Sequence, residues 1–291
     1  MRRLRFFHLL LLAPSQALAT LMLAGPGLYV FWLSFTASTY GQDPHFIGLT
    51  NYTMVLTDKH FWTAARNTFI VVNVVVYVEL LLALGMALLM ASLGRGRVIL
   101  FAIILVPYGI SEVVGVLAWR FLADPNIGLL THGLAAIGIP FNWPLNPIAA
   151  IALICTISIW HHLPFTFVIL YAAVISVPRD IYEASRVDGA SALQQLWNIT
   201  LPLIVPAALL AIVFRYIFAF RMFSEVWLVT QGGPVRSTEV LGTYLYRTGF
   251  SYADFGAAAA TGWLMVLGSL LLAAFYLRTM YRKSFENAQT V

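Results

Sequence analysis

Charge is what this chain of 291 residues has least of. It carries 17 basic and 12 acidic residues, 10% of the total, where a soluble domain carries roughly 25%. Hydrophobic residues make up 60%. A soluble fold has too little interior to hide that much apolar surface, which leaves an integral membrane protein. Cysteine is nearly missing as well: the one example, Cys155, sits in an apolar run and excludes an internal disulfide framework. The six histidines have no metal-ligand spacing such as His-x3-His, so no metal site is expected. No Gly-x4-Gly-Lys-Ser/Thr phosphate loop is present. The net charge of +5 does not call for nucleic acid, because cytoplasmic loops of membrane proteins carry excess Lys and Arg.

What is present is a series of apolar runs. A helix crossing a hydrocarbon core of about 30 Å needs about 20 apolar residues. Six segments meet that length, at about Leu10–Phe35, Thr68–Ala91, Val98–Phe121, Ile148–Val177, Leu203–Phe223 and Phe255–Met280. Each is expected to be a helix, since helices and closed barrels alone satisfy every backbone group in lipid. Arg2, Arg3 and Arg5 precede the first run, and Ala17-Leu18-Ala19 resembles a signal-peptidase site. The apolar character nonetheless continues to Phe35, so an uncleaved first span is expected. With the N-terminus inside, the cytoplasmic pieces hold Arg2, Arg3, Arg5, Arg95, Arg97, Arg179, Arg186, Arg278, Arg282 and Lys283. The outer pieces hold Lys59, Arg66, Arg236 and Arg247. That bias places both termini in the cytoplasm. The outer segments 36–60, 122–147 and 224–254 are rich in turn signals and are expected to be compact caps. The chain reads as one membrane domain over 1–291, all-α and six-helical.

One polar island interrupts this pattern. Five charged residues fall between positions 179 and 188, with spanning runs on either side. Pro178 suits a helix start, Asp180 and Glu183 suit its positive end, and Ile181, Ala184 and Val187 recur at helical spacing. Gly189 permits a turn that a Cβ resists. A second short helix with Leu193, Leu196, Trp197 and Thr200 on one side is expected to follow, and Pro202 to mark re-entry into the next span. The island is thus a helix–turn–helix on the cytoplasmic face. It either lies on the membrane as an amphipathic hairpin or projects into a partner.

The order of its residues is Glu183-Ala184-Ser185, three residues, Gly189, nine residues, Ile199-Thr200-Leu201-Pro202. This resembles the EAA loop of permease subunits of binding-protein-dependent ABC importers, with Ser185 in place of the usual alanine. Asp188-Gly189-Ala190-Ser191, Thr230-Gln231-Gly232-Gly233-Pro234 and Asp254-Phe255-Gly256-Ala257-Ala258-Ala259 are similar to the carbohydrate branch, the maltose, glycerol-phosphate and trehalose permeases. Gln231 stands where glycine is more usual. The resemblance implies a prokaryotic inner-membrane importer for a sugar or sugar-like solute. It also implies a second permease subunit, two copies of a cytoplasmic ABC ATPase carrying the ATP and Mg, and an extracytoplasmic solute-binding protein. In that scheme Glu183, Ala184, Ser185, Asp188, Gly189, Ile199, Leu201 and Pro202 form the ATPase-coupling element. No catalytic residue and no cofactor of its own are implied for this chain.

Ionisable residues inside spans are costly and usually face a cavity or a partner. Glu79, Glu112, Arg120, Arg215, Arg221 and Glu225 form this set. Tyr108, Glu112 and Trp119 fall near one helical face, and Asn73 and Tyr77 form an i, i+4 pair. Trp160, His161 and His162 interrupt the fourth span near Pro164, where a kink is expected. Asn73, Tyr77, Tyr108, Glu112, Trp119, Trp160, His161 and Arg215 are therefore the candidate solute path, since a sugar needs aromatic faces and fixed hydrogen-bonding groups. Simpler roles compete: Arg221 and Glu225 are spaced to pair with each other, Arg120 is placed to snorkel, and Glu79 is placed to meet a second permease. The rival reading is an ion-coupled secondary transporter using the intramembrane Glu and His residues. Six spans without a visible inverted repeat argue against it.

Overall fold

The computed structural model describes residues 2–94 and 96–289, with side chains for 12–94, 96–275, 277 and 278. Of the residues behind the charge bias, Arg95 lies outside the described residues. The side chains of Arg2, Arg3, Arg5, Arg282 and Lys283 lie outside the described side chains. The chain runs through α1 (Arg2–Leu33), β1 (Thr36–Ala37), β2 (His45–Phe46), α2 (Thr50–Thr57), α3 (Lys59–Ser92), α4 (Arg97–Gly109) and α5 (Glu112–Leu122). It continues through α6 (Leu129–Ala136), α7 (Pro147–Ser176), α8 (Arg179–Val187), α9 (Ala192–Gln195), α10 (Leu201–Ala219), α11 (Ser224–Val229), α12 (Leu241–Tyr246) and α13 (Phe255–Gln289). The fold is all-α apart from the two-residue antiparallel ribbon β1–β2.

Among the described residues, five helices are long and apolar enough to cross a membrane, or six if one bent pair counts as a span. That pair corrects the expected third span. Instead of one helix over Val98–Phe121, α4 and α5 meet at a bend of 98°. Pro107 lacks an N–H and weakens the last turn of α4, Gly109 ends it, and Ile110 is extended at φ −89°, ψ 140°. Tyr108 and Trp119 therefore sit on different helices. The re-entry expected at Pro202 is also corrected. Ala192–Ala219 forms one helical stretch, with π-helical Leu196–Thr200 inside it, so Pro202 lies within that stretch, just after the π-helical segment, and not at its start. Pro164 lies within the unbroken α7.

The chain forms two compact units. The first comprises Met1–Phe61 and Tyr244–Val266. Its centre is Asn51, whose Nδ2 donates to the carbonyls of Ser34 at 2.9 Å and Thr36 at 2.8 Å. Asn51 is 2% exposed, its amide held inside the fold by these two carbonyls. The strand stub continues into a bridge from Thr39 to Asp254, and Phe255 N donates to Ser38 O at 2.9 Å. Asp254 Oδ1 accepts from Ala257 N at 2.9 Å and caps the start of α13. Gly256 is then in the tightest spot: a Cβ there lies 2.3 Å from Thr36 O and 2.7 Å from Asn51 Nδ2.

The second unit comprises Trp62–Thr243 and Leu267–Val291. The apolar faces of α3, α7 and α10 build its core. Ala83 and Ala87, fully buried and one turn apart, pack in a cluster with Phe167, Leu170 and Tyr171 of α7 and Ile204 of α10. Small residues at such positions let helix backbones approach, the usual device for helix packing in lipid. A second cluster joins Val71, Val75 and Val116 to Leu153, Ile154 and Ile157, and to Val226 of α11.

These contacts generate a prediction for the first unit. Gly256→Ala should lower stability by about 1–3 kcal/mol, because a backbone oxygen cannot move as a side chain does. Gly133→Ala, with nothing within 4 Å, should be close to neutral. Thermal unfolding of detergent-solubilised protein checks the pair; equal shifts would contradict the Asn51-centred packing.

Candidate coupling and solute sites

The polar island folds as a capped helical turn. Gly189 takes the left-handed conformation at φ +78°. Its N–H donates to Arg186 O at 3.0 Å, and Ala190 N–H donates to Ser185 O at 2.9 Å. This pair of bonds is the Schellman stop, and it needs a residue without a Cβ at its left-handed position. Pro178 sits one residue earlier in the helix than expected, at the N-cap of α8. Ser191 and Gln194 form a capping box that starts α9. Two side-chain bonds close the hairpin. Gln195 Nε2 donates to Ser185 Oγ at 2.9 Å, and the Tyr182 and Thr200 hydroxyls meet at 2.9 Å. An alanine at 185 could make no such bond, a role that type-for-type reading of Ser185 misses.

The hairpin also exposes apolar surface. Val187 is 89% exposed, Leu193 65% and Trp197 63%. Behind it, a cavity of about 810 Å3 is bordered by Ser92, Arg97, Val174, Tyr182, Glu183 and Arg186 among others. Of the residues singled out for coupling, Glu183, Ala184, Asp188 and Gly189 are exposed on α8 and its turn. Ser185 lies within the hairpin, and Ile199, Leu201 and Pro202 lie on the helix leaving it.

The candidate solute residues fall into four pairs rather than one group. Asn73 Oδ1 accepts from Tyr216 OH at 2.6 Å, and the Tyr77 ring lies edge-on to Tyr216 at 6.4 Å. Trp119 and Trp160 meet edge-on at 5.9 Å, with Gly115 leaving room for Trp160: a Cβ there lies 3.1 Å from its ring. Tyr108 packs near His161, ring centroids 6.4 Å apart, and His161 Nδ1 is buried with no hydrogen-bond partner. Glu112 and Arg215 line a common polar cavity of about 390 Å3 with Ser158, His162, Arg221 and Glu225. His162 donates from Nδ1 to Ser158 O at 3.0 Å. His162 was legible as an interruption of the fourth span, but Ser158 and the place of Glu225 were not, because they converge from α7 and α11.

Glu79 corrects a sequence expectation. It does not point outward to meet another subunit; it is fully buried. Arg215 Nε donates to Glu79 Oε2 at 2.9 Å, Nη2 lies 2.8 Å from the same oxygen, and the Thr166 hydroxyl donates to Oε1. The expected Arg221–Glu225 pair is corrected too. Helix α10 ends at Ala219, so helical i, i+4 geometry lapses; Arg221 is exposed, Glu225 is buried, and no ion pair joins them among the described residues. Glu225 lies on α11, outside the spanning helices, where burial and then the nearby Glu112 charge raise its carboxyl above the ordinary value. Arg120 Nη1 donates to Leu228 O at 2.8 Å. No group of three or more His, Cys, Asp or Glu fit to hold a metal occurs among the described residues.

Fold and sites together define a multi-pass helical membrane protein with a polar cavity among its spans and a rigid hairpin between two of them. The family model described as "Binding-protein-dependent transport system inner membrane component" matches residues 79–280, and the chain belongs to that family. It is 34% identical over 278 residues to a probable ABC transporter permease protein, y4oQ, of Sinorhizobium fredii (strain NBRC 101917 / NGR234), covering 94% of this chain and 90% of that one. It is 30% identical over 276 residues to the sn-glycerol-3-phosphate transport system permease protein UgpA of Yersinia pestis bv. Antiqua (strain Antiqua), covering 94% of each. Its fold matches, at a TM-score of 0.84 and 23% identity over 97% of this chain and 96% of the other, a crystal structure of a bacterial ABC transporter involved in the import of the acidic polysaccharide alginate. The chain is thus an inner-membrane permease subunit, the non-catalytic translocation component of an ABC importer.

The hairpin geometry generates its own prediction. Gly189→Ala should cost about 1 kcal/mol locally, since a Cβ resists the left-handed conformation. Ser185→Ala, losing one bond to Gln195, should cost about 0.5–1.5 kcal/mol. Hydrogen exchange at the Gly189 and Ala190 amides should quicken in both. Unchanged exchange would contradict the rigid turn.

Proposed function

We propose that this chain forms one translocation domain over 1–291, part of the path by which a sugar or sugar-like solute enters the cell. The hairpin between Pro178 and Pro202 faces the cytoplasm and docks on an ABC ATPase. Both termini are cytoplasmic. A second permease subunit completes the pore, two ATPase copies bind the ATP and Mg, and an extracytoplasmic protein delivers the solute. The observation that carries this reading is the hairpin itself. It is stopped by a Schellman turn, closed by Ser185–Gln195 and Tyr182–Thr200, and tipped by exposed Val187. A lever must keep its shape to transmit force, and this one has bonds on both sides of the turn.

The mechanism follows. ATP closes the ATPase dimer and draws the two hairpins of the permease pair together. In this chain the unbroken stretch Ala192–Ala219 carries the displacement from the hairpin toward Arg215 and the polar cavity. Coupling of this kind needs an element with two arrangements that both sites bias. Glu183, Ala184, Ser185, Asp188 and Gly189 form the docking end, and Ile199, Leu201 and Pro202 the root of the lever. Asn73, Tyr77, Tyr108, Glu112, Trp119, Trp160, His161 and Arg215 line successive parts of the path. The sugar class is supported by the relatives' named solutes, which are rich in hydroxyl groups, and by the aromatic faces at Tyr108, Trp119 and Trp160.

Gly189→Asp should insert and fold but separate ATP hydrolysis from uptake, lowering uptake at least about tenfold, as the strained, recharged tip no longer seats. Uptake and ATPase rates of the reconstituted importer check this, and full uptake by the variant would remove the coupling role. Wild-type uptake that runs on a proton gradient without the ATPase would favour the secondary-transporter reading instead.

A further inference from the structure

The cavity bordered by Glu112, Ser158, His162, Arg215, Arg221 and Glu225 has an uneven charge balance. Arg215 is 2% exposed and already neutralised by Glu79, itself fully buried and held by Thr166. Its Nη1 is nevertheless buried with no hydrogen-bond partner. A buried donor left unpaired is destabilising, so this atom is poised for an external partner. Among the described residues neither Glu112, Glu225 nor Arg221 has an ion-pair partner within 4 Å. Three carboxyl groups thus stand against two guanidiniums at the cavity or directly behind its wall. With every group ionised the balance is negative, and with Glu225 protonated it is zero. In neither case does the cavity offer an anion a net positive charge, and a desolvated anion without one is strongly disfavoured.

We infer that this cavity takes an uncharged, hydroxyl-rich solute and rejects anionic ones. Arg215 is a donor to the solute, and Glu79 is the positioning residue that cancels its charge. Donors and acceptors occur together around the cavity: Arg215 and Arg221 donate and Glu112 accepts. A sugar hydroxyl, at once donor and acceptor, matches such a wall. This sets the chain apart from the relatives compared above, whose named solutes, sn-glycerol-3-phosphate and an acidic polysaccharide, are anionic. The inference rests on the importer reading and adds a charge rule to it.

The test uses the whole importer in nanodiscs, with the binding protein left out so that its own selectivity does not enter. Retention of glycerol, maltose and trehalose is compared with that of glycerol 3-phosphate, trehalose 6-phosphate and galacturonate. At least one neutral probe should be retained in preference to every anionic one, and Arg215→Met should weaken that retention by about tenfold or more. Glu79→Gln should shift the ratio of anionic to neutral retention upward by about tenfold or more, because Arg215 then carries a free charge. Glu79→Asp should restore the neutral preference. Should Glu79→Gln fail to fold, Glu112→Gln, which removes a carboxylate from the cavity wall and keeps an acceptor oxygen, serves as the second charge-removing variant, with a shift in the same direction. Preferential retention of an anionic probe by the wild type, retention of no neutral probe, or a ratio unmoved by these variants overturns the inference. ATPase activity of the same complexes reports on the importer reading separately. A complex that hydrolyses ATP yet prefers an anion loses the charge rule alone, whereas a chain that binds no ATPase loses the importer reading.

Discussion

The bond between Glu79 and Arg215 is the interaction on which the second unit depends. It joins α3 to α10, and the Thr166 hydroxyl brings in α7, so three spanning helices share one polar contact. In lipid the apolar faces of these helices gain little from meeting each other rather than acyl chains. A buried charge behaves differently. Separating Glu79 from Arg215 leaves two uncompensated ions in an apolar interior, and that penalty selects one register of α3 against α10. The apolar packing follows from that register. Val72 and Val76 meet Ile212 and Tyr216, and Ala83 and Ala87 pack in the same cluster as Ile204.

The same pair shapes the proposed function. A guanidinium used on one edge and unpartnered at Nη1 gives a helix contact and a donor beside the cavity at once. Helix α10 carries Arg215 near one end and leads directly back to the hairpin at the other. The element proposed to receive the ATPase's motion and the residue proposed to meet solute therefore belong to one helical stretch, with π-helical Leu196–Thr200 between them. Such π-helical turns occur frequently at functional sites.

How much of this was legible in the sequence depended on distance along the chain. The hairpin was legible because its signals are local: a proline at a helix start, the acidic Asp180 and Glu183 near its positive end, and a glycine at the left-handed stop lie within 12 positions (178–189). Five of the six spans were legible from apolar length. The break between α4 and α5 was not, since both halves are equally apolar and Pro107 with Gly109 alone does not tell a kink from a bend of 98°. Glu79 and Arg215 were both visible as costly residues, yet their partnership was not, with 136 positions between them. The pairing of Arg221 with Glu225 failed for the opposite reason. Local spacing suggested a bond that the end of α10 at Ala219 removes.

The central claim is that Glu79 and Arg215 neutralise each other as a buried pair, so that the cost of parting them fixes the register of α3 against α10. A double-mutant cycle read by thermal unfolding of the assembled complex tests it most directly. Glu79→Leu and Arg215→Met should each destabilise by about 3–5 kcal/mol, because each strands a buried charge. The double variant should recover most of that loss. Additive losses in the double variant would contradict the account.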